Sequence, residues 1–213
     1  DSLIEGLLQS AFPEGVAHRI RAGEAGIAQV TQEATVLRCH MRGIAPSSSS
    51  EDFRRIMGGL RDFSAAVEAL TQRHGVETCI WRVDGFVAVA GSPTSADDHV
   101  KRAAAMGQEV LVEARRFRGP TGDPLRVGLG LHSGRVMGAA LGADRLRYEV
   151  WGDGVKMAEA VALGAADGTL LVSPTVQSRL RDEYSFQPQK VREVAGVQMR
   201  TFLMADPASG GPA

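Results

Sequence analysis

The residues with the most chemistry to offer are His40, Asp84, Glu149 and Lys156. Asp84 falls between two apolar runs, Glu77 to Arg82 and Gly85 to Ala90, so its carboxylate stands where two strands meet. His40 follows a strand-like run, Ala34 to Cys39, and its imidazole suits Zn²⁺ or Mn²⁺ better than Mg²⁺. Side chains alternate along a strand, so Cys39 faces away from His40 and adds no ligand there. Glu149 offers a hydrogen-bond acceptor and Lys156 a cation, both within Y-E-V-W-G-D-G-V-K-M-A-E-A at 148–160.

These groups need elements to hold them. Residues 1–21 read as a helix interrupted near Pro13, with Leu3, Leu7 and Leu8 before the break and Val16 and Ile20 after it. Apolar residues from Phe53 to Leu70 recur at helical spacing over 51–73, and a second amphipathic helix spans 96–116. Ala45 to Ser50 reads as a polar loop. The segment L-R-V-G-L-G-L-H-S-G-R-V-M-G-A-A-L-G at 125–142 reads as a hairpin-like pair of strands, its glycines permitting tight turns and close backbone approach. Its glycine spacing is not a dinucleotide fingerprint, because no helix pattern follows directly. A helix at 153–163, a strand at 169–173, a short helix at 174–181 and two terminal strands complete the order. The pattern β-α-β-β-α-β with C-terminal additions predicts a mixed α/β (α+β) chain with a ferredoxin-like core.

Composition narrows the function classes. The chain has 213 residues, 24 basic and 25 acidic side chains, and a net charge of −1. That balance gives no bulk electrostatic footprint for nucleic acid or an anionic membrane. Cys39 and Cys79 sit in apolar runs and read as reduced core residues. No apolar stretch is long enough to span a bilayer and no signal peptide is visible. A chain beginning at Asp1 reads as a fragment, with any anchor or sensor upstream.

Four further segments, taken in order, resemble class III adenylate and guanylate cyclases. T-V-L-R-C-H-M-R-G-I matches V-x-L-F-x-D-I-x-G-F, and V-D-G-F-V-A-V-A-G matches G-D-x-x-M-x-x-x-G. D-D-H-V-K-R-A-A-A-M matches the D-H-x-x-x-A helix opening, and R-V-G-L-G-L-H-S-G-R-V-M-G-A-A-L-G matches R-x-G-I-H-x-G-x-V-x-x-G-x-x-G. The 148–160 segment resembles Y-D-x-W-G-x-x-V-N-x-A-S-R. Each match is weak alone; in register they are specific, and they cover about residues 11–204. The resemblance implies the class III cyclase fold, with 1–33 as a leader and transducer-like helix with linker, 34–205 as the cyclase homology domain and 206–213 as a disordered tail.

Cyclisation drives a ribose 3′-hydroxyl onto the α-phosphate and expels pyrophosphate, so charge must be offset by divalent metal on two carboxylates and by cationic side chains. The resemblance places Asp84 at one metal carboxylate and His40 at the other, a poor Mg²⁺ pair. It places Ile80 at the purine-reading Lys or Glu, Glu149 at the base-reading Asp, and Lys156, Ala160 and Ala195 at the Asn, Arg and Lys that hold ribose and phosphates. Arg145 and Arg147 are either phosphate-side cations or surface arginines. Lys156 is expected to pair with Asp84 or Glu149 in place of metal, and His99 and His132 to be structural. Trp81 and Trp151 are expected to pack in the core or at a dimer interface.

The expected function is a catalytically degenerate cyclase domain, a dimerising regulatory module of a larger signalling protein. It is expected to form a homodimer or a heterodimer with another cyclase-type domain, to receive upstream regulatory domains and to lie in the cytoplasm, whether or not the full-length protein is membrane-anchored. It is expected to hold no cofactor. The alternatives are an active atypical cyclase using Mg²⁺ or Mn²⁺, and a non-catalytic nucleotide or small-ligand sensor in the old cleft.

Overall fold

A computed structural model describes residues 2–44, 50–119, 122–143 and 145–205. Of the expected polar loop Ala45 to Ser50, residues 45–49 lie outside the described residues, as does the expected tail at 206–213, and Ser50 opens a helix. Two short helices, α1 (Ser2–Ala11) and α2 (Glu14–Arg21), break where Pro13 stands, just ahead of α2. Proline is tolerated there because the first helical turn has no use for its missing N–H.

The first strand, β1 (Ala28–Arg42), starts at Ala28 rather than at Ala34. Its register against β4 (Arg126–Leu141) shifts between Thr31 and Ala34, and that irregularity breaks the alternation by which the early half would be recognised. Then come α3 (Ser50–His74), β2 (Thr78–Arg82), β3 (Gly85–Ala90) and α4 (His99–Ala114), close to where periodicity puts them. The expected hairpin at 125–142 is a single continuous strand, β4. Its internal glycines are not at positive φ; the chain first turns at Gly142, with φ 106°. The returning strand is β5 (Arg147–Trp151), followed by α5 (Asp153–Leu163), β6 (Thr169–Val172), α6 (Pro174–Leu180), β7 (Phe186–Val194) and β8 (Val197–Met204).

Among the described residues these strands form one sheet in the order β2-β3-β1-β4-β6-β8-β7, with β5 paired to β4 beside that path. The run β1-α3-β2-β3-α4-β4 is the expected βαββαβ core. On one face Leu37, Cys39 and Met41 of β1 pack with Phe63 and Val67 of α3 and Val100 and Ala104 of α4. On the other, Val36, Val87, Val89 and Val136 pack with Phe12 and Val16 and with Ala158 of α5. Strand alternation therefore sends Arg38 and His40 to the second face, toward α5. Both cysteines are free, Cys39 buried and Cys79 half-buried. Burial raises both thiols, Cys79 to about 12, so neither is a reactive thiolate. No helix among the described residues is long and apolar enough to cross a membrane.

Candidate functional site

A cleft of about 540 Å³ opens between the β2–β3 turn, β4, β5 and α5, lined by Arg38, Arg82, Asp84, Arg135, Trp151, Lys156 and Glu159 among others. Three elements build its acidic corner. The register His40↔Gly85 sets β1 beside the turn, and the Met41 N–H donates to the Asp84 carbonyl at 2.7 Å. Only glycine fits after Asp84: φ is 142°, and a Cβ on Gly85 would stand 1.9 Å from the Cys39 carbonyl. The third element, α5, brings Glu159 across from β1.

At the centre lies Arg38, 3 % exposed. Its guanidinium donates through Nη2 to Asp84 Oδ1 at 2.7 Å, through Nε to Glu159, and through Nη1 to the carbonyls of Cys39 and Phe86. A planar fork satisfied on every edge is the arrangement in which arginine tolerates burial. Desolvation pulls the Arg38 pKa down, but Glu159 and Asp84 outweigh it and leave a firmly held cation. Desolvation likewise pushes Asp84 up, while Arg38 and then His40 hold its carboxyl below the usual range. His40 Nδ1 lies 3.1 Å from Asp84 Oδ2, within ion-pair distance, but makes no hydrogen bond among the described residues.

Beside the cleft, the carboxylate at position 149 is neutralised in the same way, by an arginine that lines it. Glu149 pairs with Arg82 at 2.9 Å, and Arg147 approaches it at 3.6 Å. Ile80 packs against the apolar cluster beneath α2 and α5. The expected pairing of Lys156 is not observed: it lines the cleft with no ion pair among the described residues, because Arg38 and Arg82 already hold Asp84 and Glu149. Ala160 packs against Val161 and Leu171, away from the charged corner. Ala195 stands exposed at the β7–β8 turn with φ 52°, and Arg145, in the β4–β5 connection, does not line the cleft. Three residues that matter here, Arg38, Glu159 and Arg82, escaped sequence reasoning. The available signal was charge complementarity between two departures from the cyclase patterns, an Arg in place of Phe at 38 and a Glu in place of Ser at 159.

His99 and His132 are structural, as expected. His99 Nδ1 is hydrogen-bonded to Thr35 at 2.7 Å, and Thr35 to Ser133 at 2.7 Å, all three buried. His132 Nδ1 is hydrogen-bonded to Ser173 at 2.9 Å. Desolvation lowers the His132 pKa to about 4, so the folded chain binds its proton later than the unfolded chain does. The stability it contributes is complete above the unfolded pKa of about 6.5 and is lost as pH falls toward 4. We expect on the order of 2–3 kcal/mol to disappear over that window, read as a falling urea midpoint, and His132→Gln to flatten the slope. Trp81 packs edge-on against Phe63 and tilted against Phe86, while Trp151 is 40 % exposed at the cleft.

The donor atoms of His40, Asp84 and Glu159 lie within 4.8 Å of one another. They do not fit the two-carboxylate Mg²⁺ site that the resemblance implies. One donor is an imidazole, and a buried guanidinium already binds both carboxylates.

Comparison with known proteins agrees with the fold. An adenylate cyclase of Mycobacterium tuberculosis (strain ATCC 25618 / H37Rv) is 28 % identical over 202 residues, covering 94 % of this chain and 46 % of that protein. The guanylate cyclase soluble subunit beta-2 of Rattus norvegicus is 24 % identical over 180 residues, covering 84 % and 26 %. The chain thus spans less than half the length of these relatives. Among solved structures, a dimeric guanylyl cyclase domain of the RhoGC fusion protein from Blastocladiella emersonii superposes with a TM-score of 0.72 at 23 % identity, covering 83 % of this chain and 97 % of that one. The adenylyl cyclase CyaB from P. aeruginosa gives 0.71 at 19 %, covering 84 % and 96 %. The family described as the adenylate and guanylate cyclase catalytic domain matches residues 27–206, and with its βαββαβ core and altered cleft on the same scaffold this chain belongs to that family.

Proposed function

We propose that this domain is a catalytically degenerate cyclase, used as a dimerising regulatory module of a longer cytoplasmic signalling protein. One observation supports this above the rest: the cleft carboxylates Asp84 and Glu159, and Glu149 beside the cleft, are held by arginines of the same chain. A catalytic site of this chemistry needs its carboxylates free for metal and base, and losing a single preorganised electrostatic group can cost about 10²–10³ in rate. His40, Ile80, Lys156, Ala160 and Ala195 remove further groups that the chemistry calls for.

Use as a dimer is supported by the surface. Val30, Met137 and Trp151 sit side by side across β1, β4 and β5, and Val30 and Trp151 are 55 % and 40 % exposed. A cross-strand apolar stripe at the cleft edge fits a second copy or a related domain, and the fungal guanylyl cyclase domain is described as a non-canonical dimer in one structure and as monomeric in others. The test is an assay of the purified chain with ATP and GTP under Mg²⁺ and Mn²⁺, beside sedimentation analysis. Cyclic nucleotide is expected at the level of the buffer blank, from a dimer; turnover above the blank overturns the degenerate reading. Lys156, a cleft cation with no ion pair among the described residues, favours one second reading, a sensor that binds nucleotide without converting it. Saturable nucleotide binding in the absence of turnover would identify it.

A further inference from the structure

We infer that Arg38 is the resident cation of the cleft: its guanidinium replaces the divalent metal, ties β1, the β2–β3 turn and α5 together, and keeps divalent ions out. The inference rests on the degenerate reading above and adds to it the residue that decides the matter. Without Arg38 the donors would suffice, since His40, Asp84 and Glu159 can place one nitrogen and two oxygens around a common point. Such a set suits Zn²⁺ or Mn²⁺ better than Mg²⁺. The missing carboxylate at position 40 is therefore not what excludes metal.

Arg38 excludes it in two ways. Its Nε and Nη2 use Glu159 and Asp84, so an ion would have to take oxygens already accepting charge-assisted hydrogen bonds. Its charge also lies beside the position an ion would occupy. A divalent ion added to two carboxylates and one guanidinium would leave an excess positive charge, at short range and partly screened from water. Arg38 cannot swing away cheaply, because Nη1 is anchored to the Cys39 and Phe86 carbonyls and the side chain is 3 % exposed. The fork reaches residues 46 and 121 positions away along the chain, which makes it a clamp across elements and not a local surface pair.

The test is metal binding by the full chain, followed by Mn²⁺ electron paramagnetic resonance and Zn²⁺ calorimetry. Wild type and Arg38→Lys, which keeps the charge, are expected to show no saturable binding, and so is His40→Asp alone. Arg38→Met is expected to bind one equivalent saturably, at metal concentrations at least ~10²-fold below the highest at which wild type shows none. Adding His40→Ala to Arg38→Met should abolish that binding. Saturable binding by wild type that His40→Ala removes, or no binding by folded Arg38→Met, overturns the inference. Should Arg38→Met fail to fold, wild type decides the matter: its melting temperature is expected to be equal in Mn²⁺ and in EDTA, and a metal-dependent rise sinks the idea. The two readings fail separately. Metal uptake without turnover refutes only the role of Arg38, and turnover refutes the degenerate function.

Discussion

Restoring the five cyclase-type residues, by His40→Asp, Ile80→Lys, Lys156→Asn, Ala160→Arg and Ala195→Lys together, is expected to leave the chain without measurable turnover. The reason is Arg38, which those changes do not touch. A new carboxylate at position 40 would stand beside a guanidinium already bonded to Asp84 and Glu159, and would join that ion cluster instead of a metal. Removing one partner of a buried ion pair costs about 3–5 kcal/mol. Asp84 and Glu159 are partly exposed, so the lower end applies here. Even that end weakens apparent metal affinity by ~10²-fold. Adding Arg38→Phe and Glu159→Ser, which restore the pattern residues at both ends of the clamp, is expected to raise cyclic nucleotide production at least ~10²-fold over the five-residue variant. Assays of both variants with ATP and GTP check this. Turnover by the five-residue variant alone would show that Arg38 yields to metal.

The second large effect concerns the seam between β4 and α5. Gly130→Ala is expected to destabilise the fold by about 3 kcal/mol or more, at the upper end of what overpacking costs. A Cβ on Gly130 would meet Ala162 N at 2.3 Å, Ala158 O at 2.7 Å and Ala162 Cα at 2.8 Å, all backbone atoms of α5. No rotamer change relieves backbone against backbone, so α5 must lift off the sheet and carry Glu159 away from Arg38. The urea midpoint should fall with an unchanged slope. Glu159→Gln, destabilising in the wild-type background, should become nearly neutral in Gly130→Ala, because the pair is already parted. Gly58→Ala is the control: it lies in α3 with nothing within 4 Å of an added Cβ, and should be stabilising by up to about 1 kcal/mol. A mild effect at Gly130 would mean that α5 adapts and that the clamp is looser than its geometry.

Much of the scaffold was legible because it rests on local periodicity. The strand Gly85–Ala90 ends where its continuous apolar run ends, and the helix Asp153–Leu163 where helical spacing ends. The early half of β1 was not legible, since the register shift between Thr31 and Ala34 breaks the period of two. Residues 125–142 were misread because a glycine in sequence does not say whether it turns or is crowded. Gly130 and Gly138 are crowded, by the α5 backbone and by the Tyr148 ring, and only Gly142 turns. Of the residues placed by motif, Asp84 and Lys156 line the cleft, whereas His40, Ile80, Glu149, Ala160 and Ala195 do not.

By itself the sequence determined the core: which runs are strands and helices, which cyclase patterns they follow, and which polar groups those patterns have lost. That information is local, set by side-chain period and turn residues within a few positions. Which charge answers which was decided by tertiary structure alone. The sequence offered Lys156 as the partner of Asp84 or Glu149; the fold gave Glu149 to Arg82 and Asp84 to Arg38, because strand alternation turns Arg38 to the α5 face and the β1–β3 register sets it against the turn that carries Asp84. A pairing among residues 38, 84 and 159 exists only once three separate elements share one corner.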